Sequence, residues 1–154
     1  MTMTRHYPPF VNDKTDEDKL ANIVVSASLL DEVLSLWLTN YFLKINDTEK
    51  NEKDRDIFEK LVLSKLSFRQ KSEIVSKILG DKSNVERLKT KLFRVSEIRN
   101  VVAHNTGWLG MPKNIGKTYE EFDALMNELE SFIESTYSEF QHDMDYAYNP
   151  QHEK

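Results

Sequence analysis

The apolar spacing near the start of the chain most constrains its fold. From Leu20 to Ile45, apolar side chains recur every three or four residues for about seven turns. This period places them on one face of an α-helix, whereas a half-buried strand would alternate apolar and polar residues. Thr15 or Asp16 stands where the residue that caps this helix is expected. The chain is therefore predicted to form a long amphipathic helix after residue 14.

Further segments combine the same period with signals for helix starts and stops. Ser or Thr followed three residues later by Glu or Gln, the spacing of a capping box, occurs at Ser67–Gln70, Ser83–Glu86 and Thr118–Glu121. The helix after Ser67 is expected to stop at Gly80. Each capped segment continues with apolar residues at helical spacing, which predicts three more long helices.

The remaining segments are predicted to be short or irregular. Asn46 to Asp56 is polar without an apolar stripe and is expected to be a loop or a weak helical start, followed by a short helix around Ile57 to Leu63. Three of the four glycines and Pro112 mark 105–117 as a loop. The predicted fold is all-α, an antiparallel helical bundle of four main helices plus a short extra helix. The predicted divisions are an extended N-terminal arm (1–14), one helical domain (15–143) and a frayed C-terminal tail (144–154).

Several function classes have no support in the sequence. There is no cysteine, which excludes disulfides and thiolate chemistry. No run of about 18 apolar residues and no secretion leader is visible, so we expect a cytoplasmic protein without membrane association. The four histidines lack metal-site spacing on any one helix, and no glycine-rich phosphate loop is present. We therefore expect neither a metal nor a cofactor.

The net charge of -5 conceals a segregation of charge along the chain. Residues 65–99 contain ten Lys or Arg and four acids, whereas residues 118–154 contain ten acids and one Lys. Solvated helix faces explain such a pattern most simply. The alternative is a surface that binds a nucleic-acid backbone, and the basic stretch leads directly to an unusual arginine.

Arg99 interrupts the apolar face of its predicted helix. At about 100° per residue it lies within an arc formed by Leu88, Leu92, Val95 and Val102. Because arginine cannot neutralise itself, its side chain must meet an acid, a phosphate or water. Two interpretations follow: a buried ion pair with Asp31 or Glu32 on the first helix, or a binding site.

His104 lies five positions beyond Arg99. On a continuous helix the two side chains diverge by about 140°, so they cannot meet one substrate. They converge only if the helix ends near Ala103, and residues 105–107 are a plausible terminator. Taken alone, a histidine near a helix end is most often a cap or a satisfied polar group.

The hexapeptide Arg99-Asn100-Val101-Val102-Ala103-His104 resembles the R-N-x-x-A-H motif of HEPN nucleases. In helix order the resemblance spans about 16–140, and 26–38 with 97–105 is similar to the mannitol-operon-repressor-like branch, whose members are not all nucleases. The resemblance implies a homodimer that brings two Arg–His pairs to a shared cleft. It also implies a metal-independent endoribonuclease acting on single-stranded or looped RNA, in a toxin or phage-defence role.

Each motif residue has an expected part in that chemistry. His104 would act as general base or acid, and Arg99 would bind the nonbridging phosphate oxygens. Asn100 would orient His104 or hydrogen-bond the substrate. The residues expected to hold the RNA backbone are Lys65, Arg69, Lys71, Lys91 and Arg94.

Two alternatives belong to other classes. One is a catalytically inactive HEPN scaffold or regulatory protein that dimerises and binds a partner, such as an antitoxin or another regulatory protein. The other is a nucleic-acid-binding regulator without cleavage, although no helix-turn-helix signature supports direct reading of DNA.

Overall fold

The computed structural model describes residues 15–43, 48–104 and 114–148. These residues form five α-helices and no strand, which confirms the all-α class. The elements are α1 (Asp16–Phe42), α2 (Thr48–Leu61), a 3₁₀ turn (Leu63–Lys65), α3 (Phe68–Leu79), α4 (Ser83–His104) and α5 (Ile115–Tyr148). The predicted arm (1–14), most of the predicted loop (105–113) and the end of the predicted tail (149–154) lie outside the described residues.

Side-chain caps begin two helices where the sequence predicts them. Thr15 Oγ1 accepts a hydrogen bond from the Asp18 amide at 3.1 Å, and the Asp18 carboxylate accepts one from the Thr15 amide at 3.3 Å. Ser67 and Gln70 exchange the same pair of bonds at 3.1 and 2.8 Å. After α3, Gly80 adopts a φ of +97°, which favours glycine and ends the helix there.

The start of α5 differs from the prediction. The helix begins at Ile115, three residues before the expected cap at Thr118, and the Thr118 amide donates to the Asn114 carbonyl at 3.0 Å. Ile115 and Tyr119 are buried, so the apolar pair one turn apart holds the first turn against the core. At its other end α5 continues to Tyr148, beyond the domain boundary predicted at residue 143.

Two other helix starts also differ. α2 begins at Thr48, so most of the segment predicted as a loop or weak start is helical. α4 has Ser83 as its first helical residue instead of its cap, because the Val85 and Glu86 amides both donate to the Lys82 carbonyl.

α1 is the central element of the bundle. It packs against α3, α4 and α5 and more lightly against α2. α1, α3, α4 and α5 are the main helices that the sequence predicts, but the predicted short extra helix is α2, whose 14 residues exceed the 12 of α3. Its fully buried side chains include Ile23, Leu30 and Leu34. By length and composition alone α1 could cross a membrane, but the core helix of a soluble protein passes the same test.

Contacts near the helix starts show that α1 and α5 run parallel. The Asn22 amide donates to the Tyr119 hydroxyl at 3.5 Å, and the Lys19 ammonium lies 4.0 Å from the position that a Cβ on Gly116 would occupy. α4 runs antiparallel to α5, since Arg94 pairs with Glu121 near the start of α5 and α4 residues nearer the start pair further along it.

The short α3 covers only part of α4. Arg69, in the first turn of α3, lies against Phe93, and the two helices run antiparallel from there to the turn at Gly80. Because α3 has 12 residues and α4 has 22, the last ten or so residues of α4 extend past the beginning of α3. They remain packed against α1 and α5.

Candidate functional site

Arg99 emerges from an apolar face in this uncovered end of α4. Val95 and Val102, about one turn before and after it, are both 0% exposed, and Ile98 beside it is 2% exposed. Arg99 itself is half-buried. The expected anomaly is therefore present: a permanently charged guanidinium stands between core residues, at the edge of the core.

No carboxylate in the described part of the chain forms an ion pair with Arg99. The Asp31 carboxylate instead accepts from the Lys71 ammonium at 2.8 Å. Glu32 is exposed and likewise makes no ion pair with Arg99. The interpretation of Asp31 or Glu32 as the acidic partner of Arg99 is therefore wrong for this structure.

Helix register gives the physical reason. Arg94 pairs with Glu121, so Arg99, five residues further along antiparallel α4, lies level with the first turn of α5 near Gly116. Gly116 in turn lies close to the Lys19 ammonium of α1. Asp31 lies roughly ten residues further along α1, a distance of about 15 Å, which is beyond the reach of a guanidinium.

His104 and Asn100 occupy the last turn and a half of α4, and both are exposed. They are four residues apart on a continuous helix, so they are neighbours on one face. The helix remains regular through His104, one residue beyond the expected end at Ala103. Within one chain, Arg99 and His104 therefore diverge by about 140°, and the expected convergence does not occur.

A mixed apolar and polar surface surrounds this end of the bundle. On α1, level with the end of α4, Ala21, Val24 and Val25 are exposed, the two valines by 40% and 50%. On α4, Ala103 is also exposed, at about the same height along the bundle. These small apolar residues and Arg99 all lie at the end of the bundle that α3 is too short to reach; we call this region the α1–α4 notch.

The structure separates the five cations expected to bind RNA. Lys71 is 6% exposed and its ammonium is paired with Asp31, so it belongs to the helix interface and is unsuited to hold RNA. The Lys91 ammonium lies 3.6 Å from a Glu128 carboxylate oxygen, so its charge is partly offset and it is less available to bind a phosphate. Lys65 and Arg69 are exposed on the surface, as the prediction requires.

Arg94 joins α4 to α5. Its Nε and Nη2 donate to the Glu121 carboxylate at 2.6 to 3.1 Å, and its Nη1 donates to Glu97 at 3.0 Å. The hydrogen bonds from Arg94 lower the pKa of Glu121, and those two acceptors raise the pKa of Arg94. Two carboxylates thus offset the charge of Arg94, which is less suited to bind phosphate than predicted.

Phe93 carries two cations that the sequence did not bring together. The Arg69 guanidinium carbon lies 4.4 Å from the ring centroid, and the Lys89 ammonium lies 5.5 Å from it. Lys89 was not among the predicted site residues. The four-residue spacing of Lys89 and Phe93 is visible in the sequence, but the contact with Arg69 depends on the register of α3 against α4.

A cleft lies elsewhere in the described part of the chain, between α1, α2 and the start of α3. It has a volume of about 360 Å³, and its walls include Asp31, Glu32, Arg55, Glu59 and Lys71. By the same register it lies well away from Arg99. No group of His, Asp or Glu within the described ranges could hold a metal ion.

Comparisons of the chain with protein-family models, with curated proteins and with solved structures give no match.

Proposed function

We propose that the chain is a metal-independent endoribonuclease of HEPN type, with Arg99, Asn100 and His104 as its catalytic residues. One observation carries the proposal: Arg99 is half-buried between fully buried valines, yet no described carboxylate pairs with it. With no described carboxylate as partner, the guanidinium meets water or an anionic ligand, and its place in the motif favours the ligand. The exposed Asn100 and His104 follow on the same helix end, in the order of the motif.

The chemistry needs a base for the ribose 2′-hydroxyl and positive charge for the phosphorane that forms when this oxygen attacks the adjacent phosphorus. The imidazole of His104 takes that proton or protonates the 5′-oxygen that leaves. The guanidinium of Arg99 donates two parallel hydrogen bonds to the nonbridging oxygens and stabilises their negative charge, a role that a divalent cation has in metal-dependent nucleases. Asn100, one turn from His104, orients the imidazole.

A homodimer completes the site in this proposal. Because Arg99 and His104 diverge within one chain, a second copy has to bring its own motif to the same cleft. The α1–α4 notch suits such an interface, since its exposed small apolar residues allow close packing of helices. Light scattering should then give a species of about twice 18.1 kDa, and a single 18.1 kDa species at micromolar concentration would contradict the dimer.

The biological setting comes from the motif resemblance alone. It implies a toxin or phage-defence effector, with RNA as substrate and an antitoxin or regulatory protein as partner; the cytoplasmic location is a separate expectation from the sequence. The single apolar helix α1 is compatible with a soluble protein, since nine of its residues are buried in the bundle.

The test is cleavage of single-stranded and structured RNA in EDTA. The expected products end in a 2′,3′-cyclic phosphate or a 3′-phosphate, and His104→Ala should lower the rate about 10² to 10⁴-fold. His142→Ala removes a histidine outside the motif and serves as the matched control. If His104→Ala cleaves as fast as the unchanged protein, the proposed site is wrong and a contaminating nuclease is the source.

The alternative is a catalytically inactive HEPN scaffold, favoured by the 140° divergence of Arg99 and His104. Arg99→Met distinguishes the roles of the arginine. In a nuclease it abolishes cleavage without lowering the free energy of unfolding, because no described carboxylate is left unpaired. A loss of about 3 to 5 kcal/mol would instead assign Arg99 to a structural ion pair. Absence of cleavage across the RNA panel, with dimer and partner binding retained, would support the scaffold.

A further inference from the structure

Arg69, Lys89 and Phe93 form one cluster at the crossing of α3 and α4, which we call the Phe93 platform. Arg69 comes from the first turn of α3, and the other two residues are one turn apart on α4. Both cations lie over the same ring, at 4.4 and 5.5 Å from its centroid. In the described part of the chain neither cation forms an ion pair.

The ring explains how two like charges are held together. The negative faces of the aromatic ring attract both cations, so Phe93 limits the freedom of two otherwise long and mobile side chains. The two charges repel each other, and an anion that contacts both would remove this repulsion. Glu97, one turn along α4 from Phe93, is already hydrogen-bonded to Arg94, which partly neutralises that carboxylate.

The platform also lies in line with the proposed catalytic residues. Positions 89, 93, 100 and 104 fall on one face of α4, since spacings of 4, 7 and 4 residues each complete close to whole turns. Phe93 and His104 are 11 residues apart, or about 16 Å along the helix. This distance corresponds to about five nucleotides of a stacked strand, at 3.4 Å per phosphate, and to fewer in an extended strand.

We infer that the Phe93 platform is a phosphate-binding subsite for single-stranded RNA, a few nucleotides from the bond cleaved at His104. This inference rests on the proposed function for its substrate, and it adds a contact that sets the minimum length of that substrate. Arg69 and Lys89 bind the backbone phosphates, and Phe93 is a positioning residue that holds the two cations in place. Single strands suit the platform because they are commonly bound by positive charge that follows the backbone, beside aromatic side chains.

The experiment measures RNA binding and cleavage by the double variant Arg69→Gln/Lys89→Gln. The control is Lys77→Gln/Arg87→Gln, which removes two exposed cations from the same two helices away from the platform. Oligoribonucleotides of 3 and 12 nucleotides are titrated by fluorescence anisotropy at several salt concentrations. Thermal unfolding of each variant confirms that it is folded.

For the 12-mer we expect the platform variant to raise Kd about 10-fold or more. The slope of log Kd against log salt should fall by about 1.4, since each phosphate contact to a single strand contributes about 0.7. The control should stay within about twofold of the unchanged protein. The 3-mer is too short to span from His104 to the platform, so a length-dependent defect is the specific signature. Phe93→Leu keeps both charges and should weaken binding less, with the salt slope unchanged.

The outcomes separate this inference from the proposed function. If the protein cleaves RNA and the platform variant cleaves the 12-mer with unchanged KM, the inference is overturned and the nuclease stands. If RNA is bound but never cleaved, and the platform variant loses binding, the subsite stands and the nuclease fails. Failure of the unchanged protein to bind the 12-mer at low salt would overturn the inference outright.

Discussion

The ion pair between Lys71 and Asp31 should contribute more to stability than the exposed ion pairs of the bundle. The Lys71 side chain is 8% exposed and the Asp31 side chain 30%, with 2.8 Å between their charged atoms. Asp31→Ala leaves a nearly buried ammonium without its acceptor, a change that costs about 3 to 5 kcal/mol in buried pairs. Because Asp31 lies at the edge of a cleft that water enters, we expect about 3 kcal/mol, the lower end of this range.

Replacing the other partner of the pair, Lys71, should cost less. Lys71→Met keeps most of the apolar stem and leaves Asp31, whose partial exposure lets water hydrate the carboxylate, so about 1 kcal/mol is expected. Adding Lys71→Met to Asp31→Ala removes the unpaired ammonium. The double variant should therefore be more stable than Asp31→Ala alone, so its loss is smaller than the sum of the two single losses.

Urea unfolding followed by circular dichroism measures these differences, with the slope against urea checked for constancy. A loss of 3 kcal/mol would also lower Tm by about 6 to 12 °C for a chain of this size. Lys60→Met, which breaks the exposed pair with Asp56, is the control and should cost less than about 1 kcal/mol. If Asp31→Ala costs under 1 kcal/mol, or if the double variant loses the sum of both single changes, the reasoning fails.

Three further predictions test other parts of the bundle. Arg94 lowers the folded pKa of Glu121, so Glu121→Gln should lose about 0.5 to 1 kcal/mol of stability, a small value because the pair is exposed. This stabilisation is fully present above the ordinary carboxyl pKa of 4.5 and disappears as pH falls through the lowered folded pKa. Urea titrations from pH 7 to 3 should therefore show the free energies of unfolding of the two proteins converge. Gly80→Ala should cost about 1 to 3 kcal/mol in thermal unfolding, from the +97° φ alone, since an added Cβ meets no atom within 4 Å. Leu34→Ala, at a position with 0% exposure, should cost about 2 to 5 kcal/mol by urea unfolding, and a smaller loss would mean that the core collapses around the cavity.

Local chemistry predicted the helices, and it failed where two signals competed. Thr15 and Ser67 act as caps because each provides a hydroxyl to an amide three residues on, a bond that involves no distant part of the chain. Thr118 has the same pattern but lies inside α5. There Gly116 indicates a loop, whereas the burial of Ile115 and Tyr119 against the bundle makes the helix begin three residues earlier, at Ile115.

The pairing of charges could not be predicted because it depends on register between helices. Periodicity placed Arg99 on an apolar face, and the structure confirms buried neighbours on both sides of it. Which acid lies opposite is decided by how far α1 slides along α4, and the sequence does not encode this distance locally. Asp31 consequently pairs with Lys71, 40 residues away, and the cation expected to bind RNA is held inside the bundle.

The unequal lengths of α3 and α4 connect the fold to the proposed site. Had α3 matched the 22 residues of α4, its side chains would cover the α1–α4 notch, and Arg99 would need a buried acid or would be replaced by an apolar residue. Because α3 begins opposite Phe93, its first turn provides Arg69 to the platform, and the uncovered turns of α4 beyond it carry Asn100 and His104. The same boundary therefore divides α4 in two: before it the helix packs against α3, and after it Asn100 and His104 are exposed, which is where the proposed function requires a ligand or a second copy.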